Sequence, residues 1–132
     1  MIKETYLANL KKGKIPLDKC ILVCRGRGND ELAPSKKLLD DFNRLKRVYE
    51  QLYSKGSVKA HNTAYDKIKY AAKFKDEIYS NPKAIMRLKE IARRALKEDI
   101  YLVCYEKYPK QCHRMLLIEY IMVEYRKGID KN

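Results

Sequence analysis

At 132 residues the chain has the length of one ordinary domain, and such a chain buries about two-thirds of its unfolded surface without a disulfide or a metal. A hydrophobic content of 45% excludes a mostly disordered chain, and no apolar run approaches the ~20 residues that cross a bilayer. The formal charge of +13, from 30 Lys and Arg against 17 Asp and Glu, attracts phosphate polymers and phosphorylated ligands. The basic residues are spread along the chain, so the same charge also fits a heavily solvated surface.

In chain order, the start Met1-Ile2-Lys3-Glu4-Thr5 lacks the apolar stretch of an export signal, which predicts a cytoplasmic, reducing setting with free thiols. Residues 2–12 read as a short amphipathic helix ended by Gly13 and Pro16. Cys20-Ile21-Leu22-Val23-Cys24 is a continuous apolar run bounded by turn signals, the pattern of a strand buried on both faces. Cys20 itself reads as a small buried hydrophobe. The glycine-rich Arg25-Gly26-Arg27-Gly28-Asn29-Asp30 is a loop.

Pro34-Ser35 opens a helix in which Leu38, Phe42, Leu45, Tyr49 and Leu52 recur at helical spacing, with Gly56 marking its end. A loop carrying Ser57 and His61 leads to Asn62, read as the N-cap of a helix through about Tyr79. Asn81-Pro82 starts the next helix, with Ile85, Leu88, Ala92 and Ala95 on one face. Ile100-Tyr101-Leu102-Val103-Cys104 is the second buried strand. A polar loop, 106–111, separates it from a largely apolar helix running from about Cys112 to Lys127 and stopped by Gly128.

Strands joined by helical crossovers pair in parallel. The expected architecture is therefore a single compact α/β domain over residues 1–132, with a small parallel sheet flanked by about five helices. Two strands make a minimal sheet, and there is room for a further short strand near Ser57–Ala60 or for completion by a partner chain. The oligomeric state stays open.

Ligands of open parallel sheets bind outside the carboxyl ends of the strands. Both strands here end in cysteine: Cys24-Arg25 and Cys104-Tyr105-Glu106. The last helix begins nearby with Cys112-His113-Arg114. A cysteine at a helix amino terminus gains thiolate character from the unsatisfied N–H groups there. Cys112 is thus the favoured nucleophile, with His113 and Glu106 as proton carriers. Arg25, Arg114 and Cys104 would contact an anionic substrate. A metal site made by Cys104, Cys112 and His113 is a further alternative, but the spacing C-x7-C-H does not match the common zinc signatures, so no metal and no cofactor is expected. The plainer alternative is a loop held by a Glu106–Arg114 ion pair, with Cys112 packed and His113 exposed.

The run Tyr101-Leu102-Val103-Cys104-Tyr105-Glu106-Lys107-Tyr108-Pro109-Lys110-Gln111-Cys112-His113-Arg114 resembles the signature of the domain of unknown function 488 family, a widespread group of small prokaryotic proteins. Val23-Cys24-Arg25 and Ala33-Pro34-Ser35-Lys36-Lys37-Leu38-Leu39 resemble its short forms. The resemblance covers roughly residues 3–125. It implies a compact α/β fold, with Arg25, Cys104, Glu106, Cys112, His113 and Arg114 as characteristic positions. The chain lacks the Gly-His-Ser-bearing first strand of longer members, and it carries Gly26-Arg27-Gly28 where many have Arg and Pro.

Three functions fit these residues. The first is an enzyme acting on a phosphate-bearing substrate such as a nucleotide or nucleic acid. The second is a non-catalytic basic nucleic-acid-binding module, and the third a thiol-based redox or sulfur-handling protein. The tyrosines, eleven in all, could stack on bases. Tyr49 and Tyr65 fit helix core faces better.

Overall fold

The computed structural model describes residues 1–106 and 110–130. Its centre is the strand β3, Ile100–Cys104, flanked in parallel by β1, Ile2–Tyr6, on one side and β2, Cys20–Leu22, on the other. The register pairs Ile2 with Ile100 and Tyr6 with Cys104 along one edge, and Cys20 with Tyr101 along the other. A bond from the Val23 N–H to the Val103 oxygen, 2.9 Å, continues the second pairing. Being central, β3 is covered on both faces, and Ile100, Leu102 and Val103 are fully buried. This is why its sequence is apolar without alternation.

The helices are α1, Leu7–Leu10; α2, Lys36–Leu52; α3, Val58–Lys67; α4, Tyr70–Tyr79; α5, Pro82–Ala95; and α6, His113–Asp130. Caps expected from the sequence are present at two of them. The Ser35 hydroxyl accepts from the Leu38 N–H at 3.1 Å, and Asn81 caps α5 ahead of Pro82. Helix α5 buries Ala84, Leu88, Ile91, Ala92 and Ala95, one stripe at three- and four-residue spacing, and packs against α6. Each buried Leu or Ile there stabilises by about 1.5–3 kcal/mol. Tyr65 is buried, stacked on Tyr70 with ring centroids 4.6 Å apart, whereas Leu52 at the end of α2 is exposed.

The chain departs from its sequence pattern in four places. Residues 2–6 form an edge strand instead of helix, and only the single turn α1 comes after it. The spacing of Ile2, Tyr6 and Leu10 suits a helix, but backbone pairing with β3, nearly a hundred residues away, wins over that local pattern. This is also the third strand, so Ser57–Ala60 is not one: Ser57 caps α3, accepting from the Ala60 N–H at 3.0 Å. His61 and Asn62 therefore lie inside α3, and the helix expected to reach Tyr79 breaks at Lys69, whose φ of 58° is left-handed. Finally, α6 runs on through Gly128. The loop expected at 106–111 lies partly outside the described residues, at 107–109.

Candidate functional site

All three strands run the same way, so their carboxyl ends share one edge of the sheet. Cys24 lies just past β2, Cys104 ends β3, and Cys112 and His113 stand at the start of α6. The fold brings these four side chains together. The Cys112 Sγ lies 2.7 Å from the Cys104 Sγ and 3.6 Å from the His113 Nδ1. All four residues are 95% or more buried.

His113 has a defined tautomer. Its Nε2 lies 2.7 Å from the main-chain oxygen of Val23, and a carbonyl can only accept, so Nε2 carries the hydrogen. Nδ1 is then the nitrogen that faces the thiols. The Phe74 ring packs edge-on against the imidazole, 5.4 Å between centroids, and holds its plane.

The electrostatics distinguish the sulfurs. Cys104 is held well below the ordinary thiol value, first by hydrogen bonds from Cys112 and Cys24 and then by His113, against the opposing effect of burial. Cys112 is pushed up by its bond to Cys104 and by burial, and Cys24 by the same two causes. These directions favour Cys104 over Cys112 as the sulfur that more readily carries charge, with the Cys112 thiol 2.7 Å away as its donor. Helix position alone favours Cys112 for that role, whereas the hydrogen bond between the two sulfurs has Cys112 as donor and Cys104 as acceptor.

A pocket of 140 Å³ opens onto this cluster. Arg25 and Glu106 line it, as do three residues that the sequence pattern does not single out for this edge: Lys46, His61 and Tyr70. Arg25 is exposed, and Lys46 half-exposed, so both stand on the solvent side. Glu106 faces Lys110 at 3.7 Å. His61 is buried against Phe42 and lies 2.7 Å from the Gln111 carbonyl, while its burial lowers its basicity. The Gln111 N–H donates to the Asn62 side chain at 2.8 Å, so α3 braces the loop ahead of Cys112. In the sequence His61 is legible only as one of two histidines, because its neighbours read as a loop.

Arg114 is placed differently from the other site candidates. It is 2% exposed and does not line the pocket. Its Nη1 donates to the Thr5 oxygen at 2.7 Å and the Glu106 oxygen at 2.9 Å, and its Nη2 pairs with Glu4 at 3.1 Å. It thus ties the end of β1 to the segment after β3.

Among the described residues, the donors of Cys104, Cys112 and His113 also form the one group of three or more Cys, His or acidic residues with metal-ligand proximity, all within 4.8 Å of one another. A larger cavity, 520 Å³, lies between α5 and α6, lined by residues such as Tyr79, Lys89, Arg93 and Glu124. It holds no thiol or imidazole, so volume alone does not mark the chemistry. No described helix is long and apolar enough to cross a membrane.

No curated protein and no solved structure matches the chain at a significant level. A family model described as the "Active DUF488-N3 subclade" matches residues 29–125, which takes in Cys104, Glu106, Cys112, His113 and Arg114. The chain belongs to the DUF488 family.

Proposed function

We propose that the strand-end pocket is a thiol-dependent catalytic site for a small anionic substrate or for the anionic end group of a larger one. The observation that carries this reading is the contact of the Cys104 and Cys112 sulfurs beside the His113 Nδ1, at the base of a pocket with Arg25 and Lys46 on its solvent side. Cys104 is the nucleophile. His113 is the proton acceptor, its tautomer set by Val23, and Cys112 relays between the two. Arg25 and Lys46 draw in the anion, and Glu106 orients or exchanges a proton at the rim. Arg114 is a positioning residue that fixes the loop carrying Glu106.

Size narrows the substrate. Pockets that enclose drug-sized ligands are about 300–1,000 Å³, and this one is 140 Å³. A phosphoryl or carboxyl end group fits, while the rest of a nucleotide or nucleic-acid end would lie outside, against the basic surface. The net charge of +13 supports a polyanionic or phosphorylated partner.

The test uses two small alkylating reagents on reduced protein, with labelling mapped by mass spectrometry. The pocket should favour anionic iodoacetate over neutral iodoacetamide at Cys104 or Cys112, ahead of the more exposed Cys20. Arg25→Gln and Lys46→Gln should remove that preference. Labelling of Cys20 first, with no preference for the anionic reagent, would sink the reading.

A further inference from the structure

The thiol–imidazole cluster has the donor set and the surroundings of a metal centre. We propose that Cys104, Cys112 and His113 bind one borderline-soft cation of the Zn²⁺ type, with the two sulfurs and the His113 Nδ1 as ligands. The inference goes beyond the catalytic reading, since a bound cation needs no nucleophile. Both cannot occupy the same sulfurs at once, so the cation would block alkylation.

Two observations support it independently. The first is proximity: the three ligating atoms lie within 4.8 Å of one another, and all three residues are buried. Ligands at about 2.3 Å (sulfur) and about 2.05 Å (nitrogen) around a tetrahedral ion sit about 3.6 Å apart. The Cys112 Sγ and His113 Nδ1 are 3.6 Å apart. Two sulfurs on such an ion sit about 3.8 Å apart, so the 2.7 Å between Cys104 and Cys112 must open by roughly 1 Å.

The second observation is the outer partner. Metal-bound histidines nearly always donate their other N–H to a carboxylate or a backbone carbonyl, which fixes the ring and the ligating nitrogen. The bond from His113 Nε2 to the Val23 oxygen is that arrangement. The three residues also line the pocket, which leaves the fourth position to a pocket ligand.

The chemistry of the set selects the ion. Thiolates and imidazole suit Zn²⁺ and its neighbours, whereas Mg²⁺ and Ca²⁺ require oxygen ligands. The chain spacing hides the site because the ligands are gathered by the junction of β3 with α6 and not by a short loop.

Untagged, fully reduced protein titrated with Co²⁺ tests this. One equivalent should produce thiolate-to-cobalt charge-transfer absorption and tetrahedral d–d bands, both bleached by Zn²⁺. Cys20→Ser should bind as the wild type does. Cys104→Ser and Cys112→Ser should weaken binding by more than the roughly 10–100-fold typical of losing an outer partner. Long-range ¹H–¹⁵N spectra of the wild type give a readout that needs no variant. The chain has two histidines, and Zn²⁺ should shift the Nδ1 of His113 while leaving His61 unmoved. Absence of charge-transfer bands at saturating Co²⁺, bands that survive in the Cys104→Ser/Cys112→Ser double variant, or a Zn²⁺-induced shift at His61 instead of His113 would each overturn the proposal. Metal uptake with unreactive thiols would remove the catalytic reading alone, and reactive thiols without metal uptake would remove this one alone.

Discussion

His113 donates its Nε2–H to the main-chain oxygen of Val23, 2.7 Å away, and that bond leaves Nδ1 as the nitrogen facing the sulfurs. A residue at the start of α6 is thereby oriented by the end of β2, ninety positions earlier in the chain. His113→Gln can keep an N–H for Val23 and loses the titratable Nδ1. The folded protein should persist, while the rate of iodoacetate labelling at Cys104 falls at least about tenfold. An unchanged rate would show that Nδ1 plays no part in activating the thiol.

Arg114 is buried among contacts within the fold. Its guanidinium satisfies the carbonyls of Thr5 and Glu106 and pairs with Glu4. Arg114→Met leaves the two carbonyls without that donor and should cost about 2–4 kcal/mol. Urea unfolding measures it, and a loss below about 1 kcal/mol would return Arg114 to the candidates for substrate contact. Lys cannot reproduce the planar fork, so Arg114→Lys should recover only part of the loss.

Lys69 joins α3 to α4 with a φ of 58°, in the left-handed region that costs an ordinary side chain about 1–2 kcal/mol. Glycine adopts that conformation freely but loses more entropy on folding. Lys69→Gly should therefore stabilise by about 0.5–1 kcal/mol. A lowered Tm would contradict this account of the helix break.

The stacked tyrosines make the protein sensitive to alkali. Burial is the first cause that raises Tyr65, Tyr70 and Tyr120, with Tyr120 pushed up to about 12. Each binds its proton more tightly folded than unfolded, so its contribution is fully present below pH ~10. It is lost as pH rises through the folded value, and stability should decline over that window. Ultraviolet titration should show a late tyrosinate phase that coincides with unfolding by circular dichroism. A single phase near pH ~10 in the folded protein would refute it.

Much of the site is legible in the chain because it rests on short-range features. A continuous apolar run gives a central strand, a strand end exposes the residues just past it, and Cys112-His113 stands where a helix begins. Those features put Cys24, Arg25, Cys104, Glu106, Cys112 and His113 on one edge of one sheet, and the described residues lie there. His61 and Lys46 are not legible for this edge, since each approaches the pocket only through the packing of α2 and α3.

What the sequence by itself determined was the apolar pattern of β2 and β3, the α2 and α5 caps, and the linear order of the reactive groups. Only the tertiary structure decided that residues 2–6 are a strand, because its hydrogen-bond partner is β3 and no local pattern encodes a distant partner. It also decided the division of labour among similar groups. Arg25 and Arg114 are the same residue type, yet one is exposed at the pocket and the other is buried among carbonyls. Cys104 accepts from the Cys112 thiol, and its shift runs opposite to that of Cys112, a relation that exists only once β3 and α6 meet.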